Sequence, residues 1–445
     1  MTSSREDLIL RYGGPAPRYT SYPTANHFGP VGPADVRDAL GGASRELKVY
    51  VHTPFCQKLC WYCGCNTVIR RDTRIGAEHV DRVLAELDLL APHLPADARM
   101  RRLDLGGGTP NFLETDALVR LVRGLEAVLP PAATGPEYAS ELDPRTVTDA
   151  HLDTFLELGF RRFSLGVQTL EPVVQEAVNR PMPRERVGEI THILRRGGAR
   201  SVNFDLMVGL PHQTRETLDR TLDTVLGVQP DRLAVFQYAH IPSLRPAQKH
   251  LERAGLPGPM ERDTLMRHAV ERLTSAGYCR IGFDHFAVPS DPLAVAAREG
   301  RLGRDFQGFT TDAHLDLLAL GPSAIGHIDG LFTQNDRDPG RWADSIARAT
   351  LPVVRGWRLT DEDRRTGRFI HDLMCCGSAR WEDGGIAGDA REQAVAALEP
   401  MVHDGLVRID DTGIAVQPAG VDFVRQVAAV FDRYLAQPAL HASVA

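Results

Sequence analysis

A chain of 445 residues with 43% hydrophobic and 24% charged residues suits one large domain or two to three smaller ones, and can bury a full-sized core. Its formal net charge of −7 argues against coating nucleic acid through a broad basic face. No apolar run approaches a membrane span, and the polar start Met1–Asp7 lacks a signal-like apolar region, so a cytoplasmic protein with no membrane partner is expected.

Residues 15–28 contain three prolines and no periodicity, which predicts an extended segment, yet Tyr19, Tyr22 and Phe28 are apolar bodies that a free linker would not need. Leu47–Thr53 is a β-branched-rich strand that feeds a run of cysteines. Arg70, Arg71 and Arg74 follow as a local basic group that reads equally as solvated surface. Strands are then predicted over Arg101–Leu105, Tyr138–Leu142, Arg162–Val167, Val202–Val208 and Arg232–Tyr238, with helical spacing over Ala77–Ala91 and Leu113–Val128. Six strands alternating with helices imply a parallel sheet with right-handed crossovers. An α/β fold, a partial (β/α)6 barrel, fits best, because the polar and glycine-rich stretches fall at strand C-termini; a doubly wound sheet is the competing fold. Beyond residue 242 a helix is expected at Pro259–Ala276 and a strand at Tyr278–Phe286. Helices near Thr360–Met374 and Asp389–Glu399, then short strands Leu406–Asp410 and Gly413–Val416, suggest a small winged-helix-like domain. The domains expected are an N-terminal extension 1–46, a barrel with its extension 47–345, and a C-terminal unit 346–445.

Four of the seven cysteines crowd into ten positions. Cys56, Cys60 and Cys63 stand at C-x3-C-x2-C spacing, and Cys65 follows two residues later. A disulfide fits poorly in a chain without a secretory signal, which leaves zinc or an iron–sulfur cluster. Three thiolates on a [4Fe–4S] cluster would leave one iron open to a small molecule. Gly106-Gly107-Gly108-Thr109-Pro110 ends a strand and lets backbone approach a ligand closely, and it is neither a Walker loop nor a dinucleotide fingerprint. Glu141, Gln168 and Asp205 are polar residues near the ends of otherwise apolar strands. Cys279 reads as a core thiol, and Cys375 and Cys376 are unassigned.

The C-x3-C-x2-C motif with the later glycine run resembles the radical S-adenosylmethionine (SAM) superfamily. Tyr50–Asn66, Arg18-Tyr-Thr-Ser-Tyr-Pro-Thr24, Phe204–Pro211, Phe236–His240 and Gly282–Phe286 resemble one branch of it, the oxygen-independent coproporphyrinogen III oxidases, over nearly the whole chain. The resemblance implies oxidative decarboxylation of coproporphyrinogen III to protoporphyrinogen IX, with Cys56, Cys60 and Cys63 on a [4Fe–4S] cluster and two SAM molecules. Tyr50, Gly107 and Glu141 match positions at the first SAM, with Ile325 near it. Tyr62, Gly108, Thr109, Gln168, Arg180, Asp205 and Ala239 match positions near the second, Arg180 as the fork for a SAM carboxylate. Tyr50 and Cys65 are the catalytic candidates, and the N-terminal segment would lie over the site. A monomer served by a low-potential flavodoxin or ferredoxin donor is implied. Tyr62 stands where the branch commonly has Phe, and Leu105 where Trp is common. A radical SAM methyltransferase on the same scaffold, a haem chaperone, and a zinc-stabilised barrel are the rival readings.

Overall fold

Alternation within the first long strand sets the architecture. In β1 (Glu46–Thr53), Leu47, Val49 and Val51 are fully buried on one face, while Lys48, Tyr50 and His52 share the other. The same two-faced pattern recurs in β2 (Arg99–Gly107), β3 (Glu137–Leu142), β4 (Arg162–Gln168), β5 (Ser201–Val208) and β6 (Arg232–Gln237). These six pair in parallel in sequence order. Helices Ile75–Leu90, Thr115–Val128, Asp149–Glu157, Arg186–Arg196 and Arg215–Val228 close the crossovers. One apolar core joins their inner stripes to the outward strand faces. The inner strand faces are polar and line a lumen. The computed structural model describes residues 3–435.

The sheet continues past both edges of this unit. Cys279–Ile281 (β7) and His285–Ala287 (β8) form a hairpin that joins β6 antiparallel. Asp316–Leu320 (β9) lies parallel to the free edge of β1, and Ile325–Ile328 (β10), Leu331–Asn335 (β11) and Val353–Arg358 (β12) extend it antiparallel. The order is β12-β11-β10-β9-β1-β2-β3-β4-β5-β6-β8-β7, an open sheet whose end strands β12 and β7 do not pair with each other. The sequence pattern predicted six strands of the barrel unit and missed the parallel β9. The strand expected at Tyr278–Phe286 is two strands around a turn. Gly282 there has φ +58°, and a Cβ on it would lie 2.2 Å from Phe309, so the chain must reverse at that glycine.

The small C-terminal sheet runs Ser378–Arg380, Gly413–Val416, Val407–Ile409, all antiparallel, against helices Asp361–Cys376 and Gly388–His403. An N-terminal helix, Arg5–Tyr12, is capped by a Ser4–Asp7 box and buries Leu8 and Ile9 in this C-terminal core beside Phe369, Trp381 and Leu398. Tyr19 and Tyr22 are buried with Ile370, Met374 and Cys375. Residue 345 lies inside helix Pro339–Ala347, and β12 still belongs to the large sheet, so we place the start of the C-terminal unit after Arg358.

Candidate active site

The cysteine loop is a lasso. Phe55–Cys56 pairs in parallel with Val68–Ile69, closed by Val68 N–H to the Pro54 carbonyl at 2.7 Å and Arg70 N–H to the Cys56 carbonyl at 2.9 Å. The end of β2 clamps its base, with Gly108 N–H on the Thr53 carbonyl (2.7 Å) and Thr109 N–H on the Phe55 carbonyl (3.0 Å). Such closeness requires glycine. A Cβ on Gly107, whose φ is +116°, would lie 2.6 Å from the Thr53 oxygen, and one on Gly108 would lie 2.5 Å from the Phe55 oxygen and 3.0 Å from Cys56 Sγ.

The outer half of the lasso is held by residues that sequence reasoning did not single out. Asn179, at φ +56°, donates through Nδ2 to the Leu59 carbonyl (2.7 Å), and Trp61 N–H donates to the Val178 carbonyl (3.1 Å). Arg245 donates twice to the Gly64 carbonyl (2.9 and 2.6 Å). Gln248 Nε2 bridges the carbonyls of Tyr62 (3.1 Å) and Ala239 (3.2 Å). The one available signal was Asn179 beside Arg180; Arg245 and Gln248 follow β6 where no periodicity marks them.

One pocket takes in Cys56, Cys60, Cys63, Cys65, Tyr62, Gly107, Gly108, Thr109, Glu141, Gln168, Arg180 and Asp205. Tyr50, Ala239 and Ile325 are not on its wall. Tyr50 lies just below, where a Cβ on Gly106 would touch both its ring (3.0 Å) and the Glu141 carboxylate (2.9 Å), and its hydroxyl meets His52 Nδ1 at 3.2 Å. Ala239 is one hydrogen bond from the loop through Gln248. Ile325 is the first residue of β10, two positions from His327, which pairs with Leu317 of β9.

All seven cysteines are free thiols. Burial pushes the Cys56 thiol up to about 12. Among the described residues, no three His, Cys, Asp or Glu side chains are already gathered in metal-holding geometry. The donor set nonetheless fits an iron–sulfur cluster better than zinc: three soft ligands on one short loop, facing a pocket with room beyond them.

Buried charge surrounds that room. Arg180 donates through Nη1 to Cys60 Sγ (3.3 Å) and through Nη2 to Asp143 (3.2 Å) and the Gly166 carbonyl, while its Nε has no partner among the described residues. Asp143 is held by Arg145 as well, at 2.6 Å. Gln168 sits in the left-handed region at φ +66°, next to a register shift between β4 and β5, and its Oε1 is buried without a partner among the described residues. That is a costly arrangement unless a ligand completes it. Glu141 accepts from Gly107 N–H at 3.2 Å, and burial, with Asp205 and Asp104 nearby, pushes its carboxyl up to about 7. Asp205 is raised by burial, against hydrogen bonds from Ser164 (3.0 Å) and Asn203 (2.8 Å). Two acidic groups, an orphaned amide oxygen and a guanidinium around glycine backbone make a receptor for a ligand that carries hydroxyls, an amine and a carboxylate. Arg70, Arg71 and Arg74 are exposed, and Arg74 pairs with Asp72 at 2.8 Å, which fits the solvated-surface reading.

Residues 50–225 match the radical SAM superfamily model. The chain is 40% identical to the oxygen-independent coproporphyrinogen III oxidase of Pseudomonas aeruginosa, covering 96% of this chain and 95% of the relative. It is also 40% identical to the protein of that name in Bradyrhizobium diazoefficiens, covering 97% of each. Among solved structures it is similar to coproporphyrinogen III oxidase (HemN) from Escherichia coli, a radical SAM enzyme, with TM-score 0.90, 34% identity, and coverage of 98% of this chain and all of the other.

Proposed function

The chain belongs to the oxygen-independent coproporphyrinogen III oxidases of the radical SAM superfamily, and from that premise we propose how its own residues serve the reaction. It oxidatively decarboxylates two propionate side chains of coproporphyrinogen III to vinyl groups, giving protoporphyrinogen IX in haem biosynthesis, with a [4Fe–4S] cluster and SAM. The carrying observation is the match to relatives of that name over almost the full length of both chains. The methyltransferase and haem-chaperone readings are not favoured.

Cys56, Cys60 and Cys63 would hold the cluster, and Cys65 would stay off the metal. When bound, the cluster and SAM supply a low-potential electron and a carbon radical able to take hydrogen from the substrate. The protein's part is to bind, orient and exclude. Gly107 would let backbone approach SAM closely, and Glu141 would accept from its donor groups beside Tyr50. We assign Tyr62, Gly108, Thr109, Gln168, Arg180, Asp205 and Ala239 to a second SAM. Supporting this are Gln168 Oε1 and Arg180 Nε, buried without a partner among the described residues on two side chains that line the pocket.

Each of the two conversions removes one hydrogen atom from the methylene attached to the pyrrole ring, then CO2, with one electron passing to an external acceptor, and leaves a vinyl group. We assign the steering of that hydrogen transfer to Tyr50 and Cys65. A flavodoxin- or ferredoxin-type donor would reduce the cluster, and a reducing cytoplasm suits four thiols on an open loop. No helix among the described residues is long and apolar enough to cross a membrane. Anaerobic incubation with coproporphyrinogen III, SAM and a reductant tests the reading: products lighter by one and then two formic-acid equivalents are expected, and SAM cleavage with unaltered tetrapyrrole would refute it.

A further inference from the structure

A second cavity, larger than the cofactor pocket, is formed among the described residues. A space of about 600 Å³ lies between the N-terminal segment Tyr19–Tyr22, the stretch from Gly300 to Leu317, and helix Asp361–Cys376. It reaches the lumen through Lys48, Leu317 and His327. Lys48 is four strand residues before His52, which pairs with Gly106, so this wall lies roughly 13 Å along β1 from the level of Glu141. A macrocycle with extended side chains can bridge that gap.

The cavity has apolar walls and uncommitted cations. Leu302, Phe306, Leu315, Leu317, Phe332 and Ile370 supply the walls. Five Lys and Arg residues line it against three carboxylates; Lys48 is paired with Asp305 and Arg301 with Glu299, which leaves Arg304, Arg364 and Arg368. Two of those carboxylates are already engaged: Asp305 with Lys48 at 2.5 Å, and Asp363 with Arg433 at 2.5 Å and Tyr434 at 2.7 Å. Arg304 is only 6% exposed and is held rigidly, its guanidinium 5.0 Å over the Phe283 ring and 4.5 Å over Phe309, with Nε donating to the Arg18 carbonyl at 3.3 Å. Its Nη1 has no hydrogen-bond partner among the described residues. Asp284, which attracts it, is itself held by Arg18 and by His285 at 2.6 Å. His327, stacked on Phe332 at 4.1 Å, also lines the cavity, and its buried Nε2 has no partner among the described residues. Arg364 and Arg368 stand one turn apart on the helix and are exposed at the rim.

A buried, fixed, incompletely bonded guanidinium is costly without an anion to complete it. Resting on the functional reading above, we propose that this cavity receives the tetrapyrrole, with Arg304 as the buried anchor for one carboxylate and Arg364 and Arg368 as the outer anchors for another. The propionates that survive the reaction are held here, while those to be converted point up the lumen toward Tyr50 and the cofactor pocket.

The test is a fluorescence titration of the anaerobically reconstituted full chain with coproporphyrin III, the oxidised tetracarboxylate, and with its tetramethyl ester. Arg304→Gln is expected to weaken free-acid binding at least tenfold and to leave ester binding unchanged. Free-acid affinity equal to that of the wild type overturns the anchor. Should Arg304→Gln fail to fold, the exposed pair Arg364→Gln/Arg368→Gln decides: loss of the free-acid preference supports the cavity, and its retention overturns it. Turnover by the wild type, assayed in parallel, separates the two claims. Conversion of coproporphyrinogen with no effect of the variants removes the anchors alone. No conversion, with the free-acid preference still dependent on Arg304, removes the functional reading and keeps an anion-selective cavity.

Discussion

At the scale of single residues, the decisive question is which thiol stays off the metal. Four thiolates on one cubane would close every iron, and the chemistry needs one open. Cys60→Ser is expected to lose the cluster, since a serine oxygen is a poor replacement for thiolate on iron. Cys65→Ser is expected to keep near-normal iron and sulfide and lose turnover. Equal iron loss in the two variants would make Cys65 a ligand. Arg180 has a different part. It touches Cys60 Sγ at 3.3 Å and Asp143 at 3.2 Å, so it ties the lasso to the floor of the pocket. Arg180→Ala should retain iron, because the thiols remain, and lower SAM affinity by about 2–5 kcal/mol, the usual cost of truncating one partner of a desolvated charged pair. Equilibrium SAM binding at wild-type strength would remove the assignment.

At the scale of elements, the barrel's edge is pinned by one carboxylate. Glu86, on helix Ile75–Leu90, accepts from Gly321 N–H (2.8 Å), Asn335 Nδ2 (2.5 Å) and Trp342 Nε1 (3.0 Å), joining a barrel helix to the residue that follows β9, to β11 and to helix Pro339–Ala347. Burial pushes its carboxyl from 4.5 up to about 7 despite those donors. The folded state then holds the proton more tightly than the unfolded chain. The associated stability is full below pH 4.5 and is lost as pH rises toward 7, an effect of up to about 3 kcal/mol. Denaturant unfolding of the metal-free chain between pH 5 and 8 should show this downward slope, and Glu86→Gln should flatten it; an unchanged slope would place the titration elsewhere. Glu86 was not legible in the sequence, because a Glu on an amphipathic helix reads as solvent-facing. The strands β1 to β6 were legible, since their apolar faces alternate or run continuously between glycine and proline punctuation. The parallel β9 was not: Asp316–Leu320 carries no signal for which edge it joins, and only packing against β1 decides it.

At the scale of the whole molecule, the two ends of the chain form one structure. Leu8 and Ile9 fill the C-terminal core, and Tyr19 and Tyr22 pack on helix Asp361–Cys376. Removing residues 1–28 should therefore spare the barrel and its iron, abolish porphyrinogen turnover, and also loosen the C-terminal unit, detected as faster proteolysis beyond residue 360. Full activity with an undisturbed C-terminal unit would return the segment to a surface linker. The sequence made this segment visible through its buried-looking tyrosines, but its partner lies some 350 residues away and leaves no local trace. The site was legible where chemistry dictates residue type and spacing, as in Cys56, Cys60, Cys63 and the glycine run. It was illegible where backbone carbonyls are the contacts, as with Arg245 and Gln248. The central claim is that this assembly takes hydrogen from the propionate methylene beside the pyrrole ring and converts that arm to vinyl. Coproporphyrinogen III carrying deuterium at those methylenes tests it most directly: the account predicts deuterium in the 5′-deoxyadenosine recovered from SAM together with vinyl products, and unlabelled 5′-deoxyadenosine with intact propionates would contradict it.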